Sequence, residues 1–141
     1  MKSTKAQTTT RILLGIFFIF AGIGHLTFMR AEFLAQVPNF IPLEPDMVVI
    51  LSGIVEIILG VSLLFLLKYM SIVGWIVALF LVAVFPGNIA QLVNHKDAFG
   101  LNSEFLRWLR LPFQPVLIIL VLWSSGAWRS WRTKSNNQVQ I

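Results

Sequence analysis

The sequence contains no cysteine and few charged residues. Without cysteine among its 141 residues, the chain can form neither a disulfide nor a zinc–thiolate or cysteine-ligated iron–sulfur site. Any redox chemistry would therefore require a bound cofactor or a partner protein. Charged residues make up 12% of the chain, and only six of them are acidic, whereas a soluble domain carries about 25% charged residues. This shortage of charge argues against a soluble globular fold.

Apolar residues take the place of the missing charge. Hydrophobic side chains account for 57% of the chain, and the mean hydropathy is +0.80. A helix needs about 20 apolar residues to cross about 30 Å of hydrocarbon. Since the apolar runs are continuous and do not alternate, they predict helices rather than barrel strands. The four predicted spans are residues 12–29, 47–67, 69–93 and 111–128.

These spans predict an all-α polytopic membrane protein, built as a bundle of four transmembrane helices. Residues 1–132 form the single predicted domain, and residues 133–141 are expected to be a disordered cytoplasmic tail. Two extracytoplasmic loops are expected to contain short interfacial elements. Three prolines in the first loop, residues 30–46, exclude one regular helix there. We expect a short turn and then extended chain, lying either on the membrane surface or over the mouth of the bundle.

Four spans would place both termini on the same side as the turn between the second and third helices. That side carries seven basic and no acidic residues, and the other side carries four basic and five acidic residues. By the positive-inside rule, both termini are expected to be cytoplasmic, with Trp128 and Trp131 as interfacial anchors. The basic residues form no continuous stripe of the kind that binds nucleic acid. Those on the terminal side are Lys2, Lys5, Arg11, Lys68, Arg129, Arg132 and Lys134.

Glu56 is the single charged residue inside a predicted span, close to the bilayer midplane. A carboxylate at that depth costs about 2.5–3.5 kcal/mol on insertion scales, so its presence requires an explanation. Ser52 and Gly60 lie four residues to either side of it, which places Glu56 on the small-residue face of its helix. We therefore expect Glu56 to point into the bundle, with His25 as its best partner and Arg110 able to reach in from the rim.

Three further polar residues, His25, Asn88 and Gln114, fall about 7–10 Å to the outer side of the midplane at 1.5 Å per residue. A polar pocket opening outward from the bundle would collect all of them together with Glu56. The alternative is structural: a protonated Glu56 bonding between helices, and Asn88 and Gln114 bonding their neighbours.

Two prolines are expected to shape the helices. Pro86 lies inside the third span, where it should kink the helix and free the carbonyl near Val82. Pro112 fits the first turn of the last span, and Pro115 soon after it would make that start irregular. The sequence contains no metal-ligand pair, phosphate-binding loop or nucleophile motif, and hence no self-contained catalytic motif.

Five short pieces of sequence occur in order along the chain. They are residues 21–26 (AGIGHL), Phe33 with residues 37–38 and 41–42, Ser52-Gly53 with Glu56 and Gly60, residues 84–89 (VFPGNI) and residues 110–114 (RLPFQ). Together these pieces resemble the DoxX-like family of small membrane proteins. Gly87 departs mildly from that pattern, because the family commonly has alanine before the asparagine.

The resemblance implies a four-helix bundle in the bacterial cytoplasmic membrane that serves as a subunit associated with oxidoreductase activity. Relatives are linked to thiosulfate oxidation with quinone as acceptor, and to membrane complexes that respond to oxidative or thiol stress. By position, the residues that match the family's polar pattern are His25, Glu56, Asn88, Arg110 and Gln114.

We therefore expect a redox accessory protein that binds a quinone-like or other small amphipathic molecule, with a membrane redox complex as partner. Glu56 and His25 would handle protons, while Asn88, Arg110 and Gln114 would hydrogen-bond the polar head of the ligand. A non-enzymatic scaffold or assembly factor is the alternative. A small transporter is a third reading, although the chain lacks the inverted repeats of secondary carriers. Catalysis and oligomeric state stay open at the level of sequence.

Overall fold

The computed structural model describes residues 2–34, 37–93, 105, 108 and 111–139, and this part of the chain is helical without any strand. An all-α fold is thus confirmed. A single 3-10 turn, Leu67–Tyr69, precedes the fourth helix. The helices are α1 (Lys5–Leu26), α2 (Arg30–Leu34), α3 (Pro45–Phe65), α4 (Met70–Val93), α5 (Phe113–Ser124) and α6 (Ala127–Val139).

Within the described residues, three stretches of helix are long and apolar enough to cross a membrane: Lys5–Leu26, Pro45–Phe65 and Leu67–Ala90. Their most exposed side chains are large and apolar, whereas their buried faces contain a compact apolar core. A helix with apolar residues on every side is typical of a lipid environment. The core is formed by Leu14, Phe18, Leu59, Leu63, Val73, Val77, Leu81, Leu117 and Val121.

Two glycine pairs bring α1 and α3 into close antiparallel contact. A Cβ atom added at Gly22 would lie 2.6 Å from the carbonyl oxygen of Gly53, and one added at Gly60 would lie 2.7 Å from that of Gly15. The two glycines of each helix are seven residues apart, so the backbones of α1 and α3 stay close over about two turns. This packing fixes which residues of α1 face α3.

Polar residues at the start of α1 bind the carboxyl ends of two other helices. Gln7 Nε2 donates a 2.9 Å hydrogen bond to Trp123 O, at the end of α5. Arg11 Nη1 donates to Leu63 O and, at 3.3 Å, to Leu64 O, at the end of α3. Carbonyls in the last turn of a helix have no intrahelical partner, and the helix dipole favours a cation there. We call this end of the molecule the basal end.

Helix α1 begins at Lys5, seven residues before the predicted span. The cause is a capping box, in which Gln7 N donates to Thr4 Oγ1 at 3.2 Å and Thr4 N donates to Gln7 Oε1 at 2.9 Å. The early start brings Arg11 into the helix, where only 8% of the residue is exposed.

Arg11→Met is expected to lower the free energy of unfolding by about 2 kcal/mol, because it removes charge-assisted hydrogen bonds to carbonyls that have no other donor in the helix. Lys5→Met removes the same charge from the same helix at an exposed position, and should cost less than about 0.5 kcal/mol. Denaturation in mixed micelles measures both values. Equal losses in the two variants would show that net charge, and not the contact with α3, is what matters.

The fourth predicted span is interrupted, which corrects the expectation of one continuous helix over residues 111–128. Helix α5 ends at Ser124, and Gly126 adopts φ 72°, a left-handed conformation that terminates helices and favours glycine. The 12 residues of α5 rise about 18 Å. This is shorter than the hydrocarbon thickness of about 30 Å.

Helix α6 continues to Val139, so the tail predicted to be disordered from residue 133 is helical over most of its length. Its first residue, Ala127, is fully buried. It packs beside Gly74 of α4, where an added Cβ would overlap the Ser125 side chain. The Ser125–Gly126 turn therefore fixes α6 against α4 at the basal end.

Residues of the first loop lie against the opposite end of the molecule, which we call the distal end. Arg30 Nε donates to Asp46 Oδ1 at 2.7 Å and Arg30 Nη2 to Asp46 Oδ2, which joins the start of α2 to the first turn of α3. Such a bidentate pair fixes geometry even where it is half exposed. Among the described residues of this loop, Phe33, Val37, Pro38, Phe40 and Ile41 line the space at the ends of the helices, which agrees with a loop over the mouth of the bundle, one of the two predicted placements.

Candidate ligand-binding site

A partly open cavity of about 590 Å³ lies at the distal end. It is walled by the last three turns of α1, the first half of α3, the second half of α4, the start of α5 and the first loop. These segments lie opposite the basal end because α1 and α3 run antiparallel. Its polar lining residues are His25, Ser52, Glu56, Asn88 and Gln114.

His25 and Glu56 form one polar pair of the cavity. His25 Nδ1 lies 3.0 Å from Glu56 Oε2, and the two side chains are 9% and 13% exposed. The same nitrogen lies 2.9 Å from Ala21 O, one turn earlier in α1. Because a single Nδ1 proton can be directed at only one acceptor, Glu56 Oε2 is in contact with the ring but has no well-directed hydrogen bond among the described residues. A buried acceptor is thus left with bonding capacity beside the cavity.

One face of the His25 imidazole ring stacks against an aromatic residue of the first loop. The Phe33 ring of α2 stacks on it, with ring centroids 3.3 Å apart and planes inclined by 14°. The contact explains why a short helix follows α1: α2 carries Phe33 back over the end of α1. The orientation of His25 is therefore set by three groups, the Ala21 carbonyl, the Glu56 carboxyl group and Phe33.

Asn88 and Gln114 form the second polar pair, on α4 and α5. Asn88 Nδ2 donates to Gln114 Oε1 at 3.4 Å, and Gln114 Nε2 donates to Leu81 O at 2.9 Å. Both side chains belong to buried residues. Gln114 therefore links α5 to the backbone of α4 one residue before Val82, whose usual helical donor would be the missing N–H of Pro86.

The rest of the cavity wall is apolar and largely aromatic. A ligand site with mostly apolar walls and a few convergent polar groups is the usual form of a small-molecule pocket. The aromatic lining residues are Phe17, Phe18, Phe20, Phe33, Phe40, Phe80 and Phe113.

Four of the five predicted site residues, His25, Glu56, Asn88 and Gln114, line this one cavity. Arg110, predicted as a ligand-binding residue, lies outside the described residues. Pro86 also lines the cavity. Helix α4 continues past this proline without a break, from Met70 to Val93. Pro112, predicted in the first turn of a span beginning at residue 111, occupies the N-cap of α5, which begins at Phe113. The described residues contain no group of His, Asp or Glu that could hold a metal ion.

Sequence reasoning missed two contributions. Phe33 was expected in the first loop without a partner, and stacking over a turn between helices leaves no periodic signal in the sequence. Gln7 did leave a signal, since Thr4 followed three residues later by Gln7, just before an apolar run, is the pattern of a capping box. Its second bond, to α5, depends on helix packing.

Comparison with curated proteins gives no match. Comparison with solved structures also gives no match. A family profile described as "Domain of unknown function (DUF8561)" matches residues 14–125, which cover α1 from its third turn through the end of α5 and include every residue of the two polar pairs. The chain therefore belongs to the DUF8561 family.

Proposed function

We propose that this chain is a DoxX-like membrane protein whose distal cavity binds a quinone-like or other small amphipathic molecule, as the accessory subunit of a membrane redox system. The observation that carries the proposal is the convergence of two polar pairs, His25–Glu56 and Asn88–Gln114, in one aromatic-walled cavity. Its volume of about 590 Å³ falls within the range of about 300–1,000 Å³ for small-molecule sites.

The proposal includes a four-span topology in the bacterial cytoplasmic membrane. Helix α5 would form the core of the fourth span, with residues on both sides of it completing the crossing. The excess of basic residues at the basal end supports cytoplasmic termini. The distal cavity would then open on the extracytoplasmic side.

The two polar pairs suit different tasks in this proposal. Glu56 Oε2 has spare acceptor capacity, so it can receive a hydrogen bond or a proton from a ligand hydroxyl. His25 can exchange a proton with that carboxyl group across 3.0 Å. The amides of Asn88 and Gln114 would bind a carbonyl at the other end of the polar head. Electrons would come from a partner, because the chain has no cysteine with which to carry out thiol chemistry.

Binding can be tested by anaerobic equilibrium dialysis of decylubiquinol, whose hydroxyl groups can donate to Glu56, against the purified full chain in detergent micelles. We expect saturable binding of one molecule per chain, weakened about tenfold by Glu56→Gln, which replaces a carboxyl acceptor with a weaker amide acceptor. The control variant Glu44→Gln makes the same chemical change at the N-cap of α3, outside the cavity lining. It should bind the ligand as the wild type does. Binding that does not saturate, or equal weakening in both variants, would refute the proposal.

The scaffold alternative is favoured by one observation, the bonding of Asn88 and Gln114 to each other and to Leu81 O. Amides that are already paired act as links between helices. If the chain is a scaffold, Glu56→Gln should reduce the recovery of a crosslinked membrane partner while quinone has no effect on the protein. A reproducible failure to crosslink any partner would count against this alternative.

A further inference from the structure

A second cavity, of about 410 Å³, lies at the basal end between the start of α1, the end of α5 and the first turns of α6. Two arginines of α6, Arg129 and Arg132, line it together with Gln7 of α1. Neither the proposed quinone site nor the two polar pairs include this cavity. We propose that it binds the headgroup of an anionic phospholipid, an inference that rests on the proposed insertion of the helices in a bilayer.

The charge around this cavity favours an anion. Arg129 and Arg132 are three residues apart, so they lie on the same side of α6. The segments of chain nearest the basal end, residues 2–16, 57–79 and 118–139, contain no aspartate or glutamate. A phosphate placed between the two arginines would therefore meet no acidic side chain from these segments. Each guanidinium group can donate two parallel N–H hydrogen bonds to phosphate oxygens.

The shape of the cavity favours a lipid over a free phosphate ion. Besides the two arginines, the cavity is lined by the apolar residues Ile119, Leu122 and Trp123 of α5. Ile119 is 61% exposed and Trp123 is 41% exposed, so the apolar wall continues onto the face that would contact acyl chains. A phospholipid has a charged headgroup for the arginines and acyl chains for the apolar wall, whereas inorganic phosphate has only the charge.

Four structural features fix the geometry of the site. Gln7 holds the start of α1 against Trp123 O. Gly126 turns the chain at the end of α5, and buried Ala127 anchors α6. Arg132 lies over the Trp128 ring, 5.7 Å from its centroid, a cation–π contact that preorganises the guanidinium group. Basic pockets at the cytoplasmic ends of helices are known sites for anionic headgroups.

Native mass spectrometry of the purified full chain tests this site with two lipids that differ only in the headgroup, dioleoyl phosphatidylglycerol and dioleoyl phosphatidylcholine. The wild type should prefer the anionic lipid by at least tenfold. Arg129→Gln/Arg132→Gln should weaken binding of the anionic lipid by about 25-fold, at about fivefold for each arginine. The control variant Lys2→Gln/Lys5→Gln removes the same charge at the same end but outside the cavity, and should keep the preference.

Three outcomes would overturn the inference. One is equal weakening in the arginine and lysine variants, which would indicate surface charge alone. The second is an unchanged lipid preference in the arginine variant. The third is competition by millimolar inorganic phosphate, which would identify a phosphate site instead of a lipid site. Arg132→Lys keeps the charge, so an intermediate preference in that variant shows that the site survives in a folded chain. Binding of decylubiquinol should be unchanged in the arginine variant, which separates this inference from the proposed function.

Discussion

Gly22→Ala should destabilise the protein by about 3 kcal/mol, at the upper end of the cost of overpacking. The added Cβ would lie 2.6 Å from Gly53 O and 2.6 Å from Ile57 Cγ1. A flexible side chain could move away, but the Gly53 carbonyl belongs to the backbone of α3, so α1 and α3 would have to separate. Separation would also disturb His25 and Glu56, which are held by the same contact. Denaturation in mixed micelles measures the loss.

The control for this prediction lies two residues further along α1. A Cβ added at Gly24 would approach no closer than 3.4 Å, to the flexible Met29 side chain, and Gly24→Ala should gain up to about 1 kcal/mol from helix propensity. The two substitutions have the same chemistry and opposite expected signs. A stable Gly22→Ala protein would show that the two helices do not depend on this close approach.

His25→Leu should cost about 1–3 kcal/mol, the usual cost of leaving a buried polar group without its partner. Glu56 Oε2 is buried, has no hydrogen bond among the described residues and lies 3.0 Å from His25 Nδ1. Glu56→Leu should change stability by no more than about 1 kcal/mol, because His25 keeps its contact with Ala21 O and burial of a leucine side chain is favourable.

A double-mutant cycle makes the asymmetry measurable. His25→Leu/Glu56→Leu should recover most of the stability lost in His25→Leu, because no carboxyl group is then stranded. The free energy of unfolding of all four proteins is needed. Equal costs for the two single variants would show that the pair stabilises the fold jointly, and a neutral His25→Leu would show that Glu56 does not need the ring.

Spans one to three could be predicted because length and hydropathy alone decide whether a helix can cross a bilayer. The observed helices Pro45–Phe65 and Met70–Val93 differ from the predicted spans by no more than two residues at each end. The fourth span was mispredicted at Gly126, since average hydropathy over 111–128 does not register a single residue with φ 72°. Local backbone conformation, not composition, ends α5.

The candidate site could be predicted in part because polar residues in apolar helices are few. The spacing of Ser52, Glu56 and Gly60 indicated an inward carboxyl group, and the structure has Glu56 facing His25 across the α1–α3 contact. The spacing could not reveal that Gln114 would bond Leu81 O, or that Phe33 would cover His25. Both contacts join elements whose relative positions depend on packing.

The sequence by itself determined that this chain is helical, that its long helices suit a membrane, and which few polar side chains need partners there. These properties follow from hydropathy and from the cost of burying polar groups, and each is local to one segment. Only the tertiary structure decided which polar groups meet. The register of α1 against α3 is set by the contact of Gly15 and Gly22 with Gly60 and Gly53, and a shift of that register would separate His25 from Glu56 and remove the site.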